Sequence, residues 1–323
     1  MILITGANGL IGSFMCKALK KAKIRFRALV RENSDLSLLQ GMADYIVYGD
    51  FLSLEFLKQL IPNFNIVIHC AAVVSFSRAK DKEMHDVNVV GTRQLVDTAL
   101  DNDIDYFIHL SSVAAIGRND QGNLVDEHNH WITSKSNTSY GESKYFSELE
   151  VWRGIQEGLK AVIINPSVVL APGDWNKGSP KLFKYVWDEN KYYGSGKLNY
   201  VDIRDVVSAI MLLIDKRITN ERFILSAGAI SFKLFFEIIA KALKKRTPYI
   251  KAPKSLNSFA TILFQIKSLI TNSEPLVTRE SIRVSNNTTV FDNHKVKNML
   301  NFEFISLENT VKWTVAELLK KNS

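Results

Sequence analysis

Between Ile2 and Asn165 the chain alternates short apolar runs with helical spans, and few architectures tolerate that pattern. The runs Ile2–Thr5, Arg25–Val30, Tyr45–Tyr48, Ile66–Cys70, Tyr106–Leu110 and Ala161–Asn165 read as strands, and the spans Lys80–Leu100 and Ser139–Glu157 read as helices between them. Strands that are apolar throughout need cover on both faces, and helices acting as right-handed crossovers between parallel strands supply it. The expected fold class is α/β, a doubly wound parallel sheet. After Pro166 the regularity fades: Pro172-Gly173, Gly178-Ser179-Pro180 and Gly194-Ser195-Gly196 read as loops. Leu198–Ile214 resumes a strand and a helix, Arg222–Leu225 adds a strand, and from Ser231 the chain is mostly helical. The expected division is a sheet domain of 1–165 with 198–228, and a smaller, mostly helical domain of 166–197 with 229–323.

The first strand runs directly into Thr5-Gly6-Ala7-Asn8-Gly9-Leu10-Ile11-Gly12. A strand, a glycine-rich turn and a helix start compressed in this way suit a dinucleotide pyrophosphate. Gly6 lets the chain leave the strand where a side chain would forbid it, Gly9 leaves room for phosphates, and Gly12 lets the helix pack closely. The helix Leu10–Lys21 then aims its free N–H groups and the positive end of its dipole at the anion. This makes the sheet domain a dinucleotide-binding Rossmann unit.

Bulk properties narrow the class further. A chain of 323 residues that is 46% hydrophobic and 23% charged is that of a globular protein with a proper core. No apolar run reaches the roughly 18 residues that would span a bilayer, and a first strand at Ile2 leaves no room for a signal or transit peptide. A cytoplasmic location is the expectation. Cys16 and Cys70 are the two cysteines, giving neither a disulfide framework nor a metal spacing, and no metal is expected. The formal charge of +8 raises nucleic acid as a partner. The cations, however, cluster at helix ends (Lys17, Lys20, Lys21 and Lys23, then Lys241, Lys244, Lys245 and Arg246), where the dipole favours them. No aromatic-interleaved basic stripe accompanies them, so neither nucleic acid nor a membrane is an expected partner.

Tyr140-Gly141-Glu142-Ser143-Lys144 places a phenol and an ammonium one turn apart on one helix face. A nearby ammonium favours the phenolate, so the tyrosine is expected to titrate below its usual value of about 10. Tyr140 would then serve as general acid toward a carbonyl or base toward an alcohol. Lys144 could also reach ribose hydroxyls. Leu110-Ser111-Ser112 ends a strand where open α/β sheets bind ligands. Adjacent positions there point to opposite sides, and Ser112 is the one chosen to hold a substrate oxygen near the phenol.

Glycine turn, strand-end serine and tyrosine–lysine pair, in this order, resemble the extended short-chain dehydrogenase/reductase family (the NAD-dependent epimerase/dehydratase family) over nearly the whole chain. Further matches are Gly49-Asp50-Phe51, His69-Cys70-Ala71-Ala72, Asn88-Val89-Val90-Gly91-Thr92, Asn165-Pro166-Ser167, Pro172-Gly173-Asp174 and Tyr200-Val201-Asp202-Ile203-Arg204-Asp205-Val206. The resemblance implies catalysis by Ser112, Tyr140 and Lys144. It implies cofactor contacts from Thr5, Gly6, Asn8, Gly9, Leu10, Ile11, Gly12, Arg31, Ser34, Asp50, Phe51, Ala71, Ala72, Asn88, Leu110, Tyr140, Lys144, Pro166 and Val168. Leu29-Val30-Arg31, Pro166-Ser167-Val168-Val169 and Glu274–Ser281 look like the dihydroflavonol-reductase-like branch, whose members reduce ketones or aldehydes. Family members often pair through the helices here at 80–100 and 139–157, and several act alone, which leaves a homodimer open.

The end of the second strand decides the cofactor. A carboxylate there binds the ribose hydroxyls of NAD, whereas an arginine accommodates the NADP phosphate. Arg31 occupies this region, its planar fork suits a phosphate, and Ser34 follows it. NADP(H) is therefore expected, although Glu32, turned inward, would favour NAD(H). The fold alone does not settle the reaction. Val113 and Ala114 follow Ser112 where family dehydratases carry an acidic pair, so elimination lacks its acid and base. Asn165–Leu170 keeps little of the pattern with which sugar-nucleotide enzymes hold their diphosphate. The expectation is an oxidoreductase that transfers a hydride from NADP(H) to a small-molecule ketone or aldehyde, with Tyr140 as general acid. The alternatives are an NAD-dependent nucleotide-sugar epimerase and a non-catalytic dinucleotide sensor.

Several residues have plainer readings. His69 and His109, in apolar runs, read as core histidines bonded to backbone. Asp126 and Glu127 read as solvated loop residues. Trp175 and Trp187 are candidates for a substrate wall. Apolar residues at 259, 262, 263, 266 and 270 share a helix face that either packs on the main domain or lids an apolar pocket.

Overall fold

The computed structural model describes residues 1–117, 124–133, 137–252, 286 and 288–320. The amphipathic stretch at 259–270 and the branch-like segment Glu274–Ser281 lie outside the described residues.

Seven parallel strands form the main sheet: β1 (Ile2–Thr5), β2 (Phe26–Val30), β3 (Ile46–Tyr48), β4 (Ile66–His69), β5 (Tyr106–Leu110), β7 (Ala161–Pro166) and β11 (Glu221–Leu225). The intervening hairpin-length strand β6 (Leu124–Val125) pairs outside this sheet with β14 (Val290–Phe291). Spatial order in the main sheet is β11-β7-β5-β4-β1-β2-β3. The chain winds from β1 to one edge, returns to β4 and proceeds to the other edge. That reversal opens a crevice at the C-terminal ends of β1 and β4, where such sheets bind ligands.

Alternation along each strand supplies both faces. Ile2 and Ile4 of β1 join a core with Met15, Cys16 and Leu19 of α1 (Leu10–Lys21) and with Val206, Ala209, Ile210 and Leu213 of α7 (Ile203–Lys216). Leu3 points the other way, into a core with Leu57 of α2 (Leu54–Leu60), Leu95, Val96 and Ala99 of α4 (Gly91–Asp101), and Val151 and Ile155 of α5 (Ser139–Gln156). The helix expected at 80–100 is continuous but not uniform: α3 (Asp81–Met84) passes through a π-helical segment, His85–Val90, before α4. Helix starts are set locally. The Thr138 hydroxyl accepts from Gly141 N–H at 3.0 Å to start α5, and the Asp202 carboxylate accepts from Arg204 N–H at 2.7 Å to start α7.

A second, smaller layer follows β7. Strands β8 (Val168–Leu170), β10 (Lys197–Asp202) and β12 (Gly228–Ser231) form a three-stranded sheet, and β9 (Tyr192–Tyr193) pairs with β13 (Ile250–Lys251). Helices α6 (Pro180–Trp187), α8 (Phe232–Leu243) and α10 (Leu307–Lys320) bury Phe183, Phe235, Phe236, Ile239, Val311 and Val315 in a core of their own. The intervening helix α9 (His294–Leu300) reaches back to the main sheet's core through Val296 and Leu300. Segment 198–228 is thus divided. β10 lies in the small sheet, whereas α7 packs on α1's side of the main sheet and β11 is that sheet's edge. Among the described residues no helix is long and apolar enough to cross a membrane.

Candidate active site

The crevice holds a cavity of about 230 Å³ lined by Gly6, Asn8 and Gly9 from the first turn, Arg31 and Ser34 after β2, Asp50 and Phe51 after β3, and Ala71 and Ala72 after β4. Leu29, Val30, Gly49, Leu52, Cys70, Val73 and Val87 complete the wall. These last were not singled out as cofactor contacts. They are apolar or small, and only the tertiary fold brings the ends of β2, β3 and β4 and the π-helical segment to one rim.

The first turn is shaped for a close approach. Gly6 has φ +63°, and a Cβ there would lie 2.6 Å from both Cα and N of Ala71. A Cβ on Gly12 would fall 2.3 Å from the Gly6 carbonyl oxygen, so Gly12 packs the helix against the turn itself rather than against the sheet. No side chain caps α1, and no acidic residue lies in its first turn. Its N–H groups and dipole face the crevice, which fits a dinucleotide pyrophosphate.

Several expected cofactor residues lie behind this surface. The fully buried Thr5 bonds its hydroxyl to His69 Nδ1 at 2.7 Å and accepts from Ala71 N–H at 3.3 Å. Buried Asn88 clamps the Val73 backbone, accepting from its N–H at 2.8 Å and donating to its carbonyl at 2.9 Å, and also donates to Ser143 Oγ at 2.9 Å. Ile11 packs into the core, and the Leu10 side chain lies against Gly173. Pro166 is buried at the end of β7, and Val168 is half-buried at the start of β8. None of these six lines the cavity.

Arg31 and Ser34 stand on the rim, with Arg31 exposed. Glu32 is exposed and is not among the lining residues. Asp35, just beyond, pairs with Lys177 of the loop after β8 at 3.2 Å.

Ser112, Tyr140 and Lys144 converge where β5 meets α5. Ser112 starts the short 3₁₀ turn Val113–Ala115, its hydroxyl accepting from Ala114 N–H at 3.1 Å. This turn packs so closely on α5 that a Cβ on Gly141 would lie 2.7 Å from the Ala114 carbonyl. The contact brings the Ser112 side chain within hydrogen-bonding reach of the Tyr140 phenol. The Tyr140 ring meets Phe76 edge-on, centroids 6.5 Å apart. Ser111 is buried, and its hydroxyl finds no partner among the described residues.

Lys144 is only 1% exposed, and its ammonium donates to the Leu110 carbonyl at 2.7 Å. The electrostatics correct the expectation for the phenol. Burial raises the Tyr140 pKa above its ordinary value, and the Ser112 hydrogen bond only partly opposes this. The ammonium pays the same desolvation cost: burial pushes Lys144 down to about 8, with the Glu148 carboxylate holding it up. The phenol therefore stays protonated at neutral pH, the form a general acid requires.

His69 and His109 are core histidines whose partners are side chains rather than backbone, and His109 Nδ1 has no partner among the described residues. His69 Nε2 lies 3.0 Å from Thr92 Oγ1, and His109 Nε2 lies 3.2 Å from Ser147 Oγ. Thr92 donates its own hydroxyl to the Asn88 carbonyl at 2.6 Å, so His69 carries its proton on Nε2. Burial holds both imidazoles below their usual pKa, neutral at pH 7. Glu127 is not solvated: it is 8% exposed and accepts from Ile224 N–H at 2.9 Å. Trp175 packs on the core of the small layer, 5.8 Å from Trp187, whose exposed ring carries Lys245.

The model of the NAD dependent epimerase/dehydratase family matches residues 2–225. The chain belongs to this family. Its relatives include the sterol demethylase protein B of Methylococcus capsulatus, 31% identical over 228 residues, which are 69% of each chain. A putative dihydroflavonol 4-reductase of Synechocystis is 30% identical over 237 residues, 71% of this chain and 68% of that one. The solved structure of gox2253 superposes with a TM-score of 0.84 at 27% identity, covering 100% of this chain and 98% of the other. As a member of the extended short-chain dehydrogenase/reductase family, dihydroflavonol-reductase-like branch, the protein is an NAD(P)-dependent enzyme of the oxidoreductase class.

Proposed function

We propose that the protein reduces a ketone or aldehyde carbonyl at the expense of NADPH. The observation that carries this reading is the convergence of Ser112, Tyr140 and Lys144 where the end of β5 packs on α5. Gly6, Asn8 and Gly9 would hold the pyrophosphate, Asp50 and Phe51 the adenine side, and Arg31 with Ser34 the ribose 2′-phosphate. The nicotinamide, when bound, supplies the hydride. Ser112 Oγ orients the carbonyl oxygen, and Tyr140 donates its phenolic proton to that oxygen as negative charge develops on it. Lys144, fixed to the Leu110 carbonyl, places a positive charge one helical turn from the phenol and steadies the phenolate left behind. Val113 and Ala114 supply no carboxylate beside Ser112, so dehydration lacks an acid–base pair. The reductase names among the relatives, dihydroflavonol 4-reductase and cinnamoyl-CoA reductase, support the direction of the chemistry.

The test is a thermal-shift comparison of NADP with NAD, followed by NADPH-oxidation screening across ketones and aldehydes. A nucleotide at 100 times its Kd stabilises by about 2.7 kcal/mol, enough to rank the two. NADPH consumption with at least one carbonyl is expected. Nucleotide retained through purification, with no net NADPH consumption, would favour nucleotide-sugar epimerisation instead.

A further inference from the structure

Tyr140, Lys144 and Glu148 fall at successive turns of α5, on one face. The third member of this stripe is a carboxylate only 1% exposed, as buried as Lys144. A buried carboxylate is costly unless its oxygens are satisfied. Here each has a separate partner. Glu148 Oε1 accepts from Asn165 Nδ2 at 2.5 Å, and Oε2 pairs with the Arg222 guanidinium at 3.3 Å. Arg222 is itself anchored, donating to the Glu127 carbonyl.

Asn165 carries the arrangement toward the site. The same Nδ2 donates to the Ser112 carbonyl at 2.8 Å, while the amide oxygen has no hydrogen-bond partner among the described residues. The side chain is therefore held through Nδ2 alone, between Glu148 and Ser112. A series Arg222–Glu148–Asn165–Ser112 runs from the edge strand β11 to the backbone carbonyl of Ser112.

We propose that Glu148 is a positioning residue for the reaction: through Asn165 it fixes the Ser112 backbone, and it supplies the counter-charge for the buried Lys144 ammonium. This inference rests on the assignment of Ser112, Tyr140 and Lys144 to the reacting site. The titratable groups set around Lys144 are Glu148 on its own helix, Cys70 and His69 at the end of β4, and His109 on β5. Both imidazoles are held neutral, and burial keeps the Cys70 thiol protonated. Glu148 is therefore the one carboxylate among these groups.

The charge and the hydrogen bond can be separated. Glu148→Gln keeps an oxygen for Asn165 but removes the charge, and Glu148→Gln with Arg222→Gln also removes the cation left behind. The probe is protein labelled with ¹³C at lysine ε carbons, with the Lys144 resonance assigned by its loss in Lys144→Arg. In either variant the Lys144 titration midpoint is expected to fall by about one unit or more. In parallel, kcat with the best carbonyl of the screen should fall about tenfold near pH 7, the KM for NADPH should stay put, and the alkaline limb of the profile should move down with Lys144. Glu148→Asp, which restores charge, should restore the Lys144 midpoint. A folded variant with an unmoved Lys144 titration overturns the proposal, as does loss of folding in both variants, which would assign Glu148 to the architecture alone. If wild-type protein turns over no carbonyl, the reductase reading fails while the Lys144 titration still decides this one.

Discussion

Gly6 and Ala71 touch backbone to backbone across the ends of β1 and β4, where a Cβ on Gly6 would stand 2.6 Å from Ala71 Cα. Both residues line the crevice cavity, so the contact between the two strand ends also shapes that cavity's surface. Thr5 and His69 brace it from behind: the Thr5 hydroxyl bonds His69 and accepts from Ala71 N–H. Gly6→Ala must therefore displace backbone and also adopt an unfavourable φ of +63°. The variant should lose about 1–3 kcal/mol of stability and its thermal shift with either nucleotide. A variant as stable and as responsive as wild type would contradict the close approach.

Tyr140→Phe removes the proton donor and keeps the ring against Phe76. Nucleotide binding should remain normal while turnover falls at least about a hundredfold. Thermal shift and steady-state kinetics on one preparation decide it, and unchanged turnover would remove Tyr140 from the mechanism.

Arg31 stands on the cavity rim, and a guanidinium contact to a phosphate is charge-assisted. Arg31→Met should weaken NADPH binding by about 1.5–3 kcal/mol and leave NADH nearly untouched. Titration with each nucleotide measures both constants. Equal losses for the two would place Arg31 away from the 2′-phosphate.

Asp205 is 3% exposed, and burial raises its carboxyl to about 6 despite a hydrogen bond from Ile305 N–H. The folded state therefore binds a proton that the unfolded chain releases near pH 4. Between roughly pH 4 and pH 6 the unfolded state carries fewer protons, so stability falls as pH rises through this window and stays lower above it. Asp205→Asn keeps an acceptor for Ile305 and cannot ionise. It should flatten that decline and gain about 1–3 kcal/mol at pH 7 relative to pH 4. Denaturant melts of both proteins at the two pH values provide the measurement; parallel profiles would count against it.

The sheet was legible in the sequence because buried parallel strands are unbroken apolar runs. The observed bounds of β1 and β5 coincide with the expected ones, and those of β2, β3, β4 and β7 differ by a residue. The glycine turn was equally legible, since Gly6 and Gly12 sit where no larger residue fits. The helix at 80–100 was less so. Its π-helical segment is associated with Asn88, whose side chain serves the Val73 backbone, a partner fifteen residues away. Glu127 was misread because its polarity says surface, whereas its partner is a backbone N–H on β11, far along the chain.

What the sequence determined by itself was whatever depends on local chemistry and period: parallel strands, a phosphate-sized turn, and a phenol and an ammonium on one helix face. Tertiary structure alone decided how those groups are charged and held. Lys144 turned to the Leu110 carbonyl rather than leaving the phenol depressed, and the Glu148 carboxyl was buried against Asn165 and Arg222. Desolvation and long-range pairing set these states, and both depend on what the folded chain places around a group rather than on its neighbours in sequence.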